Sequence, residues 1–258
     1  MEAGINLYSL RTLIGDEDGF LKTARALADM GYTSIQYSGA PYDPERIARV
    51  SKKAGLPVVL THVPMDRILN DTDALMSEHE SFGCRVIGLG AMPPQTVSDA
   101  DAFRSTVDAL DRAGALMKKN GFEFSYHHHH FEMYRICGVT ALQYIAENAP
   151  NVNVTVDTYW LQYGGADVIR TIDSLAGRIK CIHLKDYRVN AVRAENGSVS
   201  YTPGFAPVGD GVLDFKAITE HARAAKVTHF LVEQDDAVNY PDPLGQVKRS
   251  IDYIKENL

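Results

Sequence analysis

The stretch that decides the expected fold is VNVTVDTYW, residues 152–160. Its valines occupy alternate positions. Because successive side chains of a strand point to opposite faces, they form an outward row and turn Thr155 and Asp157 inward. An amphipathic stretch follows at residues 166–175 and is predicted to be a helix. A buried strand followed by a covering helix is the repeating unit of a parallel α/β sheet.

This strand-and-helix unit recurs about eight times along the chain. Apolar runs typical of strands lie at residues 4–9, 33–37, 57–62, 84–89, 122–127, 152–157, 178–184 and 229–233. Helices are predicted between them, including one at 66–82 and one at 139–148. Eight units in 258 residues match the size of a closed barrel, so the predicted fold class is α/β, a single (β/α)8 TIM barrel domain spanning residues 1–258.

One segment interrupts the alternation. Residues 187–211 are polar and rich in glycine and proline, and they are predicted to form a loop insertion that serves as a lid or a subunit contact. A homo-oligomer is therefore an open expectation. The first strand is not followed by a GxGxxG motif, so no nucleotide cofactor is expected.

Composition limits the partners that the chain can have. It contains 26 basic and 33 acidic residues, a formal charge of -7, which provides no basic surface for nucleic acid. No apolar stretch is long enough to cross a membrane and the first residues lack a secretory pattern, so a cytoplasmic protein is expected.

The chain has three cysteines, an odd number, and they are widely spaced: Cys84, Cys137 and Cys181. This pattern favours buried thiols over disulfides or a CxxC metal site.

Polar residues end most of the predicted strands, and in a (β/α)8 barrel the active site lies at that end. Side-chain alternation turns four metal-ligand types inward from four successive strands: His127, Asp157, His183 and Glu233. A mixed set of imidazole and carboxylate ligands suits a divalent metal. Mn²⁺ is the metal expected first, and Zn²⁺, Co²⁺, Fe²⁺ and Mg²⁺ are the alternatives. Each residue alone would fit a helix cap or a loop hydrogen bond, but burying two carboxylates without a cation is costly.

Four consecutive histidines, residues 127–130, extend the fifth strand. An affinity tag would lie at a terminus or in a linker, whereas this run continues an apolar strand. Alternation sends His127 and His129 to the inner side and predicts that His128 and His130 are outward or loop residues.

These motifs resemble the xylose isomerase-like barrel superfamily, in particular the sugar phosphate isomerases/epimerases and their inosose dehydratase relatives. The resemblance covers essentially the whole chain. It is carried by LYSLR (7–11), GYTSIQYSG (31–39), THVP (61–64), YHHHHFEM (126–133), VDTYWLQYGGAD (156–167), IHLKDY (182–187), VGDGVLDF (208–215) and LVEQD (231–235). The subgroup with a YHNHDFEF-like segment is the most similar, and this chain has His128 and His130 where that pattern has Asn and Asp.

The resemblance implies a divalent metal held by residues of strands five to eight. Asp157, His183 and Glu233 match those ligands, whereas His127 stands where the better-known epimerases have a glutamate. Glu233 would be one proton carrier, and the second would be His127, His129, Lys185 or Glu132. His129 is favoured, because a metal-bound imidazole cannot act as a base and a free imidazole titrates near neutrality.

Other residues are expected to contact the substrate. Lys185 would polarise a carbonyl or hold an anionic group, with a surface ion pair to Asp186 as the alternative. His62, Glu132 and Trp160 are the predicted substrate-binding residues. Trp160 would stack on a sugar face, although a single tryptophan also serves as ordinary packing and His62 could equally cap a helix.

The predicted function is that of a metal-dependent carbohydrate isomerase or epimerase, which transfers a proton next to a carbonyl of a sugar or keto-sugar. The alternative is a lyase or dehydratase on keto-sugars, inososes or 3-keto-glycosides, including relatives that cleave C-glycosides with a small auxiliary subunit. A phosphodiester hydrolase and a non-catalytic sugar-binding barrel are further alternatives.

Overall fold

The computed structural model describes residues 1–136 and 138–258. Within them, eight parallel strands close into a barrel in the order β1-β8-β7-β6-β5-β4-β3-β2. The strands are β1 (Gly4–Asn6), β2 (Ile35–Tyr37), β3 (Val58–His62), β4 (Val86–Leu89), β5 (Glu123–His127), β6 (Val152–Asp157), β7 (Ile179–Leu184) and β8 (His229–Val232). The (β/α)8 prediction is confirmed.

Helices cover the outside of the barrel. They are α1 (Glu17–Met30), α2 (Pro44–Ala54), α3 (Met65–Asn70), α4 (Thr72–Ser81), α5 (Pro94–Ser98), α6 (Ala100–Lys119), α7 (Ala141–Asn148), α8 (Thr158–Tyr163), α9 (Val168–Ser174), α10 (Phe215–Ala224) and α11 (Pro243–Asn257). Aspartate side chains accept a backbone N–H at many of their starts, as Asp43 does for α2 and Asp157 for α8. Three 3-10 segments, Leu7–Leu13, His130–Met133 and Ala237–Asn239, complete the described helices.

The core has an outer layer between strands and helices and a small inner cluster. The valines of β6 belong to the outer layer, as their alternation predicts. Leu60, Val86, Cys181 and Leu231 form the separate cluster, one from each of β3, β4, β7 and β8. His62, His183 and Glu233 each follow a member of this cluster by two residues and so lie on the same face. The inner cluster is therefore an apolar floor under the polar end of the barrel.

The prediction of an irregular loop at residues 187–211 is wrong. Most of this segment is an antiparallel hairpin of Asp186–Arg193 with Val199–Ala206, called the hairpin arm below. Its β-branched residues favour strands, and Pro203 is tolerated because both strands of a two-stranded sheet are edges.

Three further boundaries differ from the prediction. The helix expected at 66–82 is two helices, α3 and α4, which meet at Asp71. The helix expected at 139–148 begins only at Ala141, after short paired strands at Arg135–Ile136 and Val139–Thr140. The first strand ends at Asn6, since a 3-10 helix takes over there.

The remaining expectations concern membrane segments and cysteines. Within residues 1–136 and 138–258, every helix is too short or too polar to cross a bilayer. Cys84 and Cys181 are buried free thiols, as predicted. Cys137 lies outside the described residues.

Candidate metal centre and substrate cleft

Four buried side chains meet at the carboxyl end of the barrel: His127, Asp157, His183 and Glu233. One possible ligand atom of each lies within 4.8 Å of those of the other three. His183 Nδ1 is 2.9 Å from Glu233 Oε2 and 3.6 Å from Asp157 Oδ2, and His127 Nε2 is 3.3 Å from Asp157 Oδ2. The structure thus brings together the four residues that side-chain alternation selected from β5, β6, β7 and the end of β8.

Both imidazoles in this cluster have their outer nitrogen held by a hydrogen bond. His127 Nδ1 donates to the Gly90 carbonyl over 2.9 Å, which leaves Nε2 facing the cluster. His183 Nε2 donates to Gln36 Oε1 over 2.8 Å, which turns Nδ1 toward Glu233 and Asp157. With a metal bound, such outer partners would fix the tautomer in which the inner nitrogen presents its lone pair.

The two carboxylates are oriented in the same way. Asp157 Oδ1 accepts the Trp160 backbone N–H over 2.9 Å, and Glu233 Oε1 accepts from Asn6 Nδ2 over 2.6 Å. Asn6 is itself held by Ser38, whose hydroxyl donates to Asn6 Oδ1 over 2.8 Å. Each carboxylate therefore keeps one oxygen for the cluster.

The residues present fit a divalent cation. Two imidazole nitrogens and two carboxylate oxygens converge, a donor set that suits a transition metal better than Ca²⁺. Burial opposes a charge on His183, but Glu233 and Asp157 outweigh it and raise the pKa of His183 well above its usual value. The buried carboxylates thus attract positive charge to the position that a cation would occupy. This His/Asp/Glu cluster could hold a metal ion.

Lys185 lies against the cluster and is 1% exposed. Its Nζ is 3.4 Å from both Asp157 Oδ2 and Glu233 Oε2, and 2.7 Å from Asp235 Oδ1. Burial alone would lower the pKa of Lys185, but these three carboxylates raise it above its usual value. The side chain is therefore a buried ammonium.

Aromatic rings surround that ammonium on its other side. The ring centroids of Trp160, Phe205 and Tyr159 are 5.0, 5.2 and 5.9 Å from Lys185 Nζ. The alternative of a surface ion pair between Lys185 and Asp186 is wrong. Asp186 is buried, and its carboxylate accepts backbone N–H groups of Tyr187, Gly209, Gly211 and Leu213 at the base of the hairpin arm.

A cleft of about 370 Å³ opens beside the four-residue cluster. It contains most of the predicted site residues, and its lining comprises Tyr8, Ser38, His62, Gly90, Ala91, His127, His129, Trp160, Lys185, Glu233 and Asp235. A depression of about 450 Å³ on the outer wall, between α7 and α9, is lined by none of these residues. The predicted site residues therefore line the inner cleft and not the outer depression.

Glu132 does not line this cleft. It is fully buried, and its carboxylate accepts the Tyr126 hydroxyl and, over 2.7 Å, the His129 backbone N–H. Burial raises the pKa of Glu132 to about 7. The structure thus separates Glu132 from the other predicted substrate-binding residues and places it under the backbone that carries His129.

The histidine run divides into three environments. His127 faces the cluster, and the His129 ring lies 4.6 Å from the His127 ring on the cleft wall. His128, expected to be outward or in a loop, is fully buried, and its Nε2 accepts the Asp157 backbone N–H over 3.1 Å. His130 is exposed at the rim, as predicted. Burial lowers the pKa of His129 to about 2, so its ring is neutral.

Sequence reasoning missed the residues that orient the cluster. Asn6 and Gln36 are buried polar residues in the apolar strands β1 and β2, and Asp235 follows Glu233 by two positions. The usable signal was a polar residue inside an apolar strand, since such groups require a partner when buried.

The fold and the four-residue cluster define a (β/α)8 barrel with a buried site that could hold a metal ion. Residues 24–257 match the family model described as xylose isomerase-like TIM barrel, and the chain belongs to that family. The resemblance noted in the sequence is confirmed.

Two curated relatives are inosose dehydratases. That of Geobacillus thermodenitrificans is 32% identical over 164 residues, which cover 58% of this chain and 53% of the relative. That of Clostridium perfringens is 28% identical over 174 residues, which cover 62% of this chain and 56% of the relative. The chain spans about half the length of the curated relatives it matches.

Solved structures share the fold along the whole chain. A sugar phosphate isomerase/epimerase from Parabacteroides distasonis superposes with a TM-score of 0.81 at 20% identity, covering 99% of this chain and 94% of the other. The 3-keto-D-glucoside 4-epimerase from E. coli gives a TM-score of 0.69 at 16% identity, covering 99% of each chain.

Proposed function

We propose that the protein is a divalent-metal-dependent lyase that removes water, or another β substituent, from a polyhydroxylated ketone of the inosose or keto-sugar class. The observation that carries this proposal is the buried His127, Asp157, His183 and Glu233 cluster with the Lys185 ammonium against two of its carboxylates. The curated relatives named inosose dehydratase support the lyase reaction over the isomerase reaction.

The metal would be held by His127 Nε2, Asp157 Oδ2, His183 Nδ1 and Glu233 Oε2, the atoms left free by the outer hydrogen bonds. A divalent ion bound there supplies Lewis-acid polarisation of the substrate carbonyl. We propose Mn²⁺, because the mixed nitrogen and oxygen donor set accepts it readily.

The residues around the cluster supply proton transfer and orientation. His129 is proposed to take the proton from the carbon next to the carbonyl, but the expectation that it titrates near neutrality is wrong, because burial makes its neutral ring a weak base. The transfer therefore depends on polarisation of the carbonyl to make that proton more acidic. The C–H electron pair forms the new double bond, and the β C–O bond breaks. Lys185, hydrogen-bonded to Glu233, donates to the departing oxygen, which leaves as water. His62 and Trp160 line the cleft and would bind the substrate's hydroxyls and ring face.

An isomerase or epimerase is the second candidate, favoured by the presence of two possible proton carriers outside the metal ligand set, His129 and Lys185, on the walls of one cleft. In that reaction one group removes the proton and the other returns it on the opposite face, with no group lost. The substrate in either case is a small carbohydrate.

Incubation of the metal-loaded protein with an inosose in D₂O tests the proposal. The lyase predicts a product that has lost one water in the mass spectrum, whereas the epimerase predicts deuterium incorporation without mass loss as water. Asp157→Asn should abolish turnover. Asp173→Asn, which alters an exposed carboxylate paired with His221, is the matched control and should leave turnover unchanged. Full inosose binding without any turnover would instead indicate a non-catalytic barrel.

A further inference from the structure

The substrate cleft continues past His62 into a second depression of about 430 Å³, here called the apolar shelf. The two spaces share His62, Gly90 and Ala91. The rest of the shelf is formed by the chain after β2 and β3 and by the end of β4: Ala40, Pro41, Tyr42, Val63, Pro64, Met65 and Leu89. The shelf therefore lies at the same end of the barrel as the four-residue cluster.

The shelf differs from the cleft in chemistry. Its own lining residues carry no charge, whereas the cleft contains an ammonium, two carboxylates and several imidazoles. The polar atoms close to it are already engaged: the Pro41 carbonyl accepts from Tyr37 and Arg46, and the Tyr42 hydroxyl is 3.2 Å from His79 Nδ1. Proline provides no N–H donor. The shelf thus offers aliphatic and aromatic surface to a ligand.

Gly90 forms the passage between the two spaces. A Cβ atom at this position would lie 3.0 Å from His62 Nδ1 and 3.3 Å from His62 Cγ, so any side chain would crowd the junction. The Gly90 backbone is not in the left-handed region, so conformation does not require a glycine there. A glycine here lets the His62 ring pack directly against the backbone at the junction of the two spaces.

We propose that the apolar shelf binds an aryl or alkyl group attached to the carbohydrate, so that the substrate is a glycoside or ether conjugate of the polyhydroxylated ketone. This inference rests on the proposed function, because it assumes that the carbohydrate part occupies the cleft. Each space falls within the range of small-molecule pockets, and a single sugar ring would leave the second one empty. The apolar group would be held by burial against Met65, Leu89 and the proline rings.

The test is a matched panel of methyl and phenyl glycosides of glucose, galactose, mannose and xylose, titrated calorimetrically into the metal-loaded protein. We expect at least one phenyl glycoside to bind about tenfold more tightly than its methyl partner, since roughly half a phenyl ring's surface would be buried on an open shelf. Met65→Glu puts a charge on the shelf at the first position of α3, where an acidic residue suits the helix.

Met65→Glu should remove the preference for phenyl while leaving the affinity for the methyl glycosides unchanged. Leu116→Glu is the control, because Leu116 is an exposed apolar residue on α6 that does not line the shelf. Equal affinities for phenyl and methyl partners in the parent protein, or a preference that survives Met65→Glu, would overturn the shelf and leave the proposed function intact. Failure of every phenyl glycoside to bind would also overturn the shelf, whereas the inosose assay described above tests the proposed function separately.

Discussion

Replacing Gln36 tests how the protein prepares His183 for a metal. Gln36 is fully buried in β2, and its Oε1 accepts from His183 Nε2 over 2.8 Å while its Nε2 donates to His62 Nε2 over 2.9 Å. Because the amide has one accepting and one donating end, it fixes both rings: His183 keeps Nδ1 bare for the metal, and His62 carries its proton on Nδ1. Gln36→Leu removes both bonds with little change in volume.

The expected loss has two parts. An outer hydrogen bond to a metal-binding imidazole is worth about 10- to 100-fold in metal affinity, or about 1.4 to 2.7 kcal/mol. In the metal-free protein, the His183 N–H loses its buried acceptor, which costs about 1 to 3 kcal/mol of unfolding free energy. Gln36→Glu keeps the acceptor for His183 but cannot donate to His62, so it should restore metal affinity without restoring the His62 tautomer.

Competition with a chelating dye measures the metal affinity, urea unfolding of the metal-free protein measures stability, and ¹⁵N shifts of the imidazole rings report the His62 tautomer. If Gln36→Leu bound metal as tightly as the parent protein, the assignment of Gln36 as the group that orients His183 would be wrong. An unchanged His62 tautomer in Gln36→Glu would refute the second half of the reasoning.

Three further substitutions probe the rest of the molecule. Lys185→Met leaves its buried carboxylate partners without their cation, so the free energy of unfolding of the metal-free protein, measured in urea, should fall by about 3 to 5 kcal/mol. An unchanged unfolding midpoint would contradict the assignment of Lys185 as a buried ammonium. Burial lowers the pKa of His79 from its usual 6.5 to about 4, so stability should fall by up to about 3 kcal/mol as pH drops through that window, and His79→Gln should show a smaller drop. Asp186→Asn should speed amide hydrogen exchange at residues 209–213, because that loop is held to its carboxylate, and unchanged exchange would argue against this anchoring role.

Much of the fold and the centre of the site could be predicted, because both follow from strand periodicity. The alternating valines of β6 place Asp157 inward, and the same rule places His183 and Glu233 on neighbouring strands. Side-chain alternation applies only within a strand, and β5 ends at His127. Alternation therefore could not predict that His128 accepts a hydrogen bond from the Asp157 backbone N–H.

Other features depended on contacts between distant parts of the chain. Gln36 and Asn6 serve residues about 147 and 227 positions away, and no local pattern reports such partners. Glu132 is predicted to contact the substrate, but its carboxylate is taken up by the buried Tyr126 hydroxyl, and no sequence pattern reports that bond. The hairpin arm was missed because Pro203 and Gly204 in one strand suggested a loop, although its opposite strand is rich in strand-forming residues.

The central claim is that His127, Asp157, His183 and Glu233 form one divalent-metal site. A crystal structure of the protein with Mn²⁺, with anomalous diffraction recorded at the metal's absorption edge, tests it directly. The account predicts a single strong peak bonded to His127 Nε2, Asp157 Oδ2, His183 Nδ1 and Glu233 Oε2. A peak elsewhere in the molecule, or an ion that leaves Asp157 and His183 unbound, would contradict it.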